Sequence, residues 1–383
     1  MKRASVVVRI MVAVTAGFVA ILDAGAASAS PLSDLAGSMQ PGTFAELTSM
    51  SGWNSGAILS PSDISGCTSG DYITSYADKA AWDPVSRRVL MLGQAHGVCY
   101  GGRFVAYDDA SNTWSIQPWP SQICQSGTSS SPCFDHAYDN NTVDPATGRF
   151  YYRAYGSSTV LQFQGGSWTS LPSIPMNNLQ CCSALEFFPA MGKLIFVDGD
   201  WGVWAYNPTA KSWAQMANGD AANNAAGLPN LPMAPTSVFA LYNPVQQILL
   251  FGGANHLYKM SSSGTITTMK TPPFTVGAAN AVISVDPVGG KFLALSGSSM
   301  YQYDAGTDTW GQLSITVPAT LMGLNGVGDG LVASDVTTYG VVMFIKYNNA
   351  SSKVYLYKHS ASAPVQSVPV PVKPDPPTNV TVQ

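Results

Sequence analysis

The sequence predicts an all-β fold, a six-bladed β-propeller closed by a strand from its N-terminal end, and three observations carry that expectation. The first is a four-strand unit. Residues 279–314 read as four short apolar or alternating runs, split at Asp286-Pro287, at Gly297 and between Asp304 and Asp308. Runs this short, broken by Gly, Pro and Asp, fit an antiparallel meander rather than helices. The second is repetition. Tyr107, Tyr206 and Tyr303 are each followed seven positions later by Trp114, Trp213 and Trp310. A hairpin signal recurs as Asp83-Pro84, Asp144-Pro145, Phe188-Pro189, Asn243-Pro244 and Asp286-Pro287. Landmarks at such a period mark a propeller.

The third observation is a missing strand. Five units are complete, at about residues 76–117, 135–171, 182–216, 236–269 and 279–314. A sixth begins near Gly330 and has only three strands before Pro364. Thr43-Phe44-Ala45-Glu46-Leu47 matches Thr309-Trp310-Gly311-Gln312-Leu313 position by position, so it is expected to supply the fourth. Pairing both open edges removes the hazard of exposed strands. A seventh blade would need a unit within residues 48–75 or 217–235, where no strand pattern occurs.

In chain order, residues 1–29 read as a signal peptide: Lys2 and Arg3, an apolar run from Ile10 to Leu22, then Ala27-Ser28-Ala29. The run is too short to span a bilayer. A secreted or periplasmic location is therefore expected. Removing the leader's three positive charges (Lys2, Arg3, Arg9) and one negative charge (Asp23) takes the formal charge from −4 to −6. That argues against nucleic-acid and anionic-membrane partners. Charged residues make up only 10% of the chain, against roughly 25% in average domains. The six Cys then suggest disulfides rather than reactive thiols. Residues 30–360 form the expected propeller domain, and a monomer is expected. Residues 361–383 read as a Pro-rich linker whose Pro-Pro-Thr-Asn-Val-Thr-Val stretch looks like the first strand of a fibronectin type III domain.

The Tyr-Asp or Tyr-Asn pair with its later Trp, together with Leu92-Gly93, Phe251-Gly252-Gly253 and Ser296-Gly297, resembles the kelch family. The resemblance is at fold level. The paired Gly stands only at Gly252-Gly253, and Ile266 replaces the Trp of the fourth blade. Kelch propellers include galactose-oxidase-like enzymes, glycan-binding modules and protein-interaction scaffolds, so the resemblance implies fold more than function.

A meander fixes which loops share a face. The strand d-to-a connections and b-to-c turns lie at one end, and the d-to-a connections here are long: residues 48–75, 118–134, 172–182, 217–235 and 315–329. Long irregular connections are where function concentrates. All six Cys fall on this face, with Cys124–Cys133 and then Cys67–Cys99 as the expected pairs. His96, His136 and His256 fall there too. Around His136 the sequence alternates, which would send His136, Tyr138 and Asn140 to one side of a strand. Arg153 and Tyr155 would neighbour them across the hairpin, with His96 facing them from blade one. Glu186, Asp198, Asp200 and Trp201 add carboxylates and an aromatic from blade three.

Those residue types suit two chemistries. In recognition of a carbohydrate or another extracellular ligand, exposed Trp53, Tyr100, Trp119 and Trp201 would stack on sugar C–H faces while the amides of Asn177, Asn178, Asn223 and Asn224 bond hydroxyls, with Tyr155, Glu186, Asp198 and Asp200 as further ligand-binding candidates. In a polysaccharide lyase, Arg153 would neutralise a uronate carboxylate, and His136, Tyr138, His96 and His256 would supply base and acid. Glycan recognition is the primary expectation, with the lyase as alternative and a protein-interaction scaffold as a third. No metal or cofactor is expected. There is no His-x-x-His or Cys-x-x-Cys pair, and Cys99-Tyr100 with His96 lacks the Tyr-His ligand set of a copper-radical oxidase. Asp304 superficially resembles part of a sialidase Asp box, but on the wrong face.

Overall fold

The computed structural model describes residues 29–53, 73–74, 76–93, 102–123, 136–176, 182–220, 225–233, 238–277, 281–322, 330–348 and 351–361. They form six antiparallel four-stranded sheets, a six-bladed propeller. Five blades span residues 81–117, 141–170, 184–217, 238–268 and 282–312, each a simple a-b-c-d meander. The sixth joins Leu331–Val336, Val341–Asn348 and Ser351–Lys358 to the N-terminal strand Thr43–Glu46. Thr43 pairs with Lys358 and Glu46 with Tyr355, so the ring closes as the repeat predicts.

The recurring sequence signals have local physical causes. In the a-to-b turns, Asp83, Asp144, Asn243 and Asp286 each accept from the backbone N–H two residues on, at 2.9–3.2 Å. Such Asx turns reproduce a backbone turn, and in all four the residue between the two ends is Pro, whose φ is already fixed. The Tyr-to-Trp spacing is a cross-strand pair between strands c and d. The rings of Tyr107–Trp114, Tyr206–Trp213 and Tyr303–Trp310 lie 5.4, 5.2 and 4.6 Å apart. Two of these tyrosines also tie the turn between them: Tyr107 donates to Asn112 at 2.8 Å and Tyr303 to Asp308 at 2.5 Å. Asn112 and Asp308 hold left-handed φ of 51° and 54°, a conformation Asn and Asp tolerate better than most residues.

An element the repeat does not announce strengthens the closure. Residues Pro31–Ser38 form a helix with a Ser30–Ser33 capping box and Pro at its first turn. Its Leu32 and Ala36 are buried in the largest core cluster, which runs through blades six, one and two. Ser30 donates to Asp109, which also accepts from Arg87 and Tyr339. Lys358 donates to the Ala36 carbonyl at 2.9 Å. The N-terminal segment therefore seals the joint of the last and first blades twice, once by a strand and once by a helix.

The inner strands are bridged at their starts by parallel backbone bonds between blades: Tyr138 N–H to Tyr76, Leu185 N–H to Asp139 and Ala333 N–H to Asp78, at 2.7, 2.9 and 3.0 Å. Of the cysteines only Cys182 lies among the described residues, and it is disulfide-bonded. The expected Cys124–Cys133 and Cys67–Cys99 pairs lie outside them, as do residues 1–28 and 362–383.

Candidate functional site

The long-loop face carries an aromatic cluster between blades one and two. The approach to strand a of blade two is not the alternating strand that the sequence suggests. The strand begins at Asn141, and Tyr138 before it holds a φ of 41°. His136 and Tyr138 still meet, with Nδ1 and the phenol oxygen 2.7 Å apart. Burial, reinforced by Tyr155 and Tyr76, pushes the Tyr138 phenol well above its ordinary pKa. The phenol therefore stays protonated, and the bond to Nδ1 ties the two side chains together in either imidazole tautomer. Tyr76 stacks flat on His136, at 4.2 Å and 9°, and the Tyr155 ring lies 5.6 Å from the imidazole. His136 and Tyr138 are buried, Tyr76 is half-buried, and Tyr155 is 41% exposed.

Arg153 ends strand b of blade two, two residues before Tyr155. It is fully buried. Its Nε donates to the Ser157 carbonyl at 2.9 Å and its Nη1 to Ser183 Oγ at 2.6 Å. The guanidinium lies 5.4 Å from the centre of the Phe196 ring. Ser183 in turn donates to Asn140 Oδ1. Blades two and three are thus joined through Arg153, Ser183 and Asn140. Asp198 adds a carboxylate near Arg153: Oδ1 accepts from the N–H groups of Asp200 and Trp201, and Oδ2 is buried with no hydrogen-bond partner among the described residues. Burial raises its carboxyl to about 6, against the pull of Arg153 and of the two amides.

The other expected residues disperse. Trp53 is not exposed. It is buried in the core against Trp114 at 5.1 Å and Tyr347 at 5.7 Å, because the segment after the closing strand runs along blade one. Trp119 is half-buried and donates to the Ile123 carbonyl. Trp201 and Asp200 are half-buried in the b-to-c turn of blade three. His256 is exposed at the start of strand c of blade four. His96 and Tyr100 lie outside the described residues.

Glu186 points into the central channel, where the sequence reading missed a polar cluster. Lys79 crosses the channel from blade one to Asp139 on blade two at 2.6 Å, Glu186 on blade three at 2.9 Å and the Ala240 carbonyl on blade four at 3.0 Å. Burial works against the lysine's charge, yet Asp139 and Glu186 outweigh it and raise its pKa. Burial also raises Asp78 to about 7 and Asp335 to about 8. The only sequence signal was a lysine inside the apolar approach to a strand, Asp78-Lys79-Ala80-Ala81. No trio of His, Cys, Asp or Glu among the described residues is arranged to hold a metal ion.

No protein-family model matches the chain, and no curated protein matches it in sequence. Solved structures similar to it include a Bacteroides thetaiotaomicron protein of unknown function, at 11% identity and TM-score 0.46, covering 86% of this chain and 74% of that one. A gluconolactonase from Xanthomonas campestris is 12% identical at TM-score 0.46, covering 74% of this chain and 88% of that one. A fungal alcohol oxidase of the AA5 family is 10% identical at TM-score 0.44, covering 76% of each. This is likeness of architecture, and no activity passes across it.

Proposed function

We propose that this propeller is an exported recognition protein that binds a glycan on its long-loop face, at the edge of the aromatic cluster between blades one and two. The observation that carries the reading is the pairing of an exposed ring, Tyr155, with a base of buried His136 and Tyr138 and the half-buried Tyr76 stacked on the imidazole. An aromatic face presents to the C–H groups of a sugar what a charged surface cannot, and bracing limits the entropy lost on binding. Polar groups of the half-buried blade-three turn, Asp200 and Trp201, stand on the same face to bond hydroxyls. The export reading rests on residues 1–29.

The lyase is the second reading, favoured by one observation, the 2.7 Å His136–Tyr138 pair. A phenol held protonated can act as an acid. Against this reading stands Arg153. A residue that neutralises a uronate must face it, and this guanidinium is buried and engaged by Ser157, Ser183 and Phe196. Incubation with a panel of neutral and uronate polysaccharides, read both by binding and by ultraviolet absorbance of unsaturated products, separates the two. Binding without new absorbance supports recognition. Product formation that disappears in Tyr138→Phe supports the lyase.

A further inference from the structure

The face of the a-to-b turns, opposite the long loops, carries an apolar collar that has no part in the glycan reading. Among the described residues four large hydrophobic side chains are exposed, and two of them, Val85 at 51% and Val245 at 48%, stand in these turns. Each follows the proline of its turn. Those prolines, Pro84 and Pro244, with Pro145 and Pro189 of the neighbouring blades, line a cavity of about 210 Å³ that runs up between the inner strands. Single exposed valines are ordinary, but an apolar collar continuous with a cavity marks a place of contact. The charges around it call for no charged partner. Arg87 pairs with Asp109, Arg88 with Asp108 and Lys291 with Asp304, so the ionic groups at this end of the blades already answer one another.

The chain itself brings a matching segment to this place. Strand c of the closing blade ends at Lys358, and two residues later Ser360 Oγ donates to Asp286 in the a-to-b turn of blade five. A Cβ added at Gly289 of that turn would meet the Ser360 side chain, and one added at Gly290 would meet Val245 Cβ at 2.8 Å. The exit of the chain and the exposed valine thus rest on adjacent glycines of one turn. From Ala361 to Val372 the sequence is uncharged, with Pro364, Pro369 and Pro371 set among Val365, Val368, Val370 and Val372. In a polyproline II conformation residues 362–372 would reach about 34 Å, and the channel they start beside is narrow enough for one side chain, Lys79, to bridge it from blade one to blade four. Proline-rich segments lose little entropy on docking and favour aromatic-lined grooves, which Trp82, Phe187 and Tyr242 supply behind the collar.

We infer that residues 362–372 cover the collar of their own chain, laying prolines and valines on Val245, Val85 and the mouth of the channel. The a-to-b face is then closed by the chain itself, and the long-loop face is left open to an outside ligand.

Photo-crosslinking of the full chain tests this, with p-benzoylphenylalanine in place of Val368 and the linked peptides mapped by mass spectrometry. Links are expected within one chain, to the turns at residues 83–87 and 243–247. Val85→Ser with Val245→Ser should lower their yield severalfold. Replacing Val365, Val370 and Val372 by Ser, outside the propeller and so without effect on its melting temperature, should do the same. A chain ending at Ala361 should bind more of the apolar dye ANS than the full chain, and Val85→Ser with Val245→Ser in the shortened chain should remove that gain. No link to the propeller, links to the long-loop face, a yield that neither set of Ser variants lowers, or equal dye binding by the two lengths of chain would overturn the inference. Links between differently isotope-labelled chains would overturn it too, by making a second copy the occupant.

Discussion

Arg153 is the residue for which burial most changes the consequence of a mutation. Read from sequence as a ligand contact, its loss should weaken binding and spare stability. In the fold its guanidinium joins blades two and three through Ser183 and Phe196 and offsets part of the charge of Asp198. Arg153→Ala strips the Ser157 carbonyl and Ser183 of a buried donor, and chemical denaturation should show a loss of about 1–3 kcal/mol for each group left unpaired. An unchanged midpoint would contradict the placement. Asp335 makes a prediction in pH. Burial raises its carboxyl from 3.8 to about 8, with Glu186 and Asp286 adding to the rise and the Val285 N–H and Lys79 opposing it. A raised carboxyl holds its proton more tightly folded than unfolded, so its contribution favours the fold at low pH and is lost as pH climbs from about 4 to about 8. Asp335→Asn should flatten that decline in unfolding free energy, and at pH 8 should be more stable than the parent chain. Superimposable pH profiles would count against it.

At the scale of elements, the N-terminal segment is the latch of the ring. Deleting residues 31–48 removes the strand that pairs with Ser351–Lys358, the helix that buries Leu32 and Ala36, and the partner of Lys358 at Ala36. Several kcal/mol should be lost, a large part of a typical domain's stability, and a melt that does not move would refute the closure. How far each element was legible follows from how local its cause is. The blades could be read because Asx-Pro turns and the Tyr–Trp pair are set by neighbours in sequence or across one hairpin. The closing strand could be read because it repeats the pattern of Thr309–Gln312. The helix Pro31–Ser38 was missed because it is too short for a periodic signal, although Ser30, Pro31 and Ser33 spell its cap. His136 and Tyr138 were rightly joined but for the wrong reason, since a left-handed Tyr138 rather than strand alternation brings them together. Trp53 and Lys79 could not be placed, because their burial depends on which remote blade faces them.

For the whole molecule, the ring puts a polar tie at its centre and aromatic rings at its long-loop face. Lys79 holds blades one to four by bonds to Asp139, Glu186 and Ala240. Lys79→Met should therefore lower the melting temperature far more than an outer-strand substitution such as Thr267→Met, because it leaves buried carboxyls without their cation. Equal effects would mean that the channel network is incidental to the fold. In the proposed function the long-loop face recognises a glycan through the exposed ring of Tyr155 beside His136. The most direct test is a binding titration of the parent chain and Tyr155→Ala against the best polysaccharide from the panel, with a thermal melt of each. Affinity should be lower in Tyr155→Ala by about 1–3 kcal/mol, the range for loss of one stacking contact and its bonds, with the melting temperature unchanged. Equal affinity for the two proteins, with the ligand shown to bind, would contradict it.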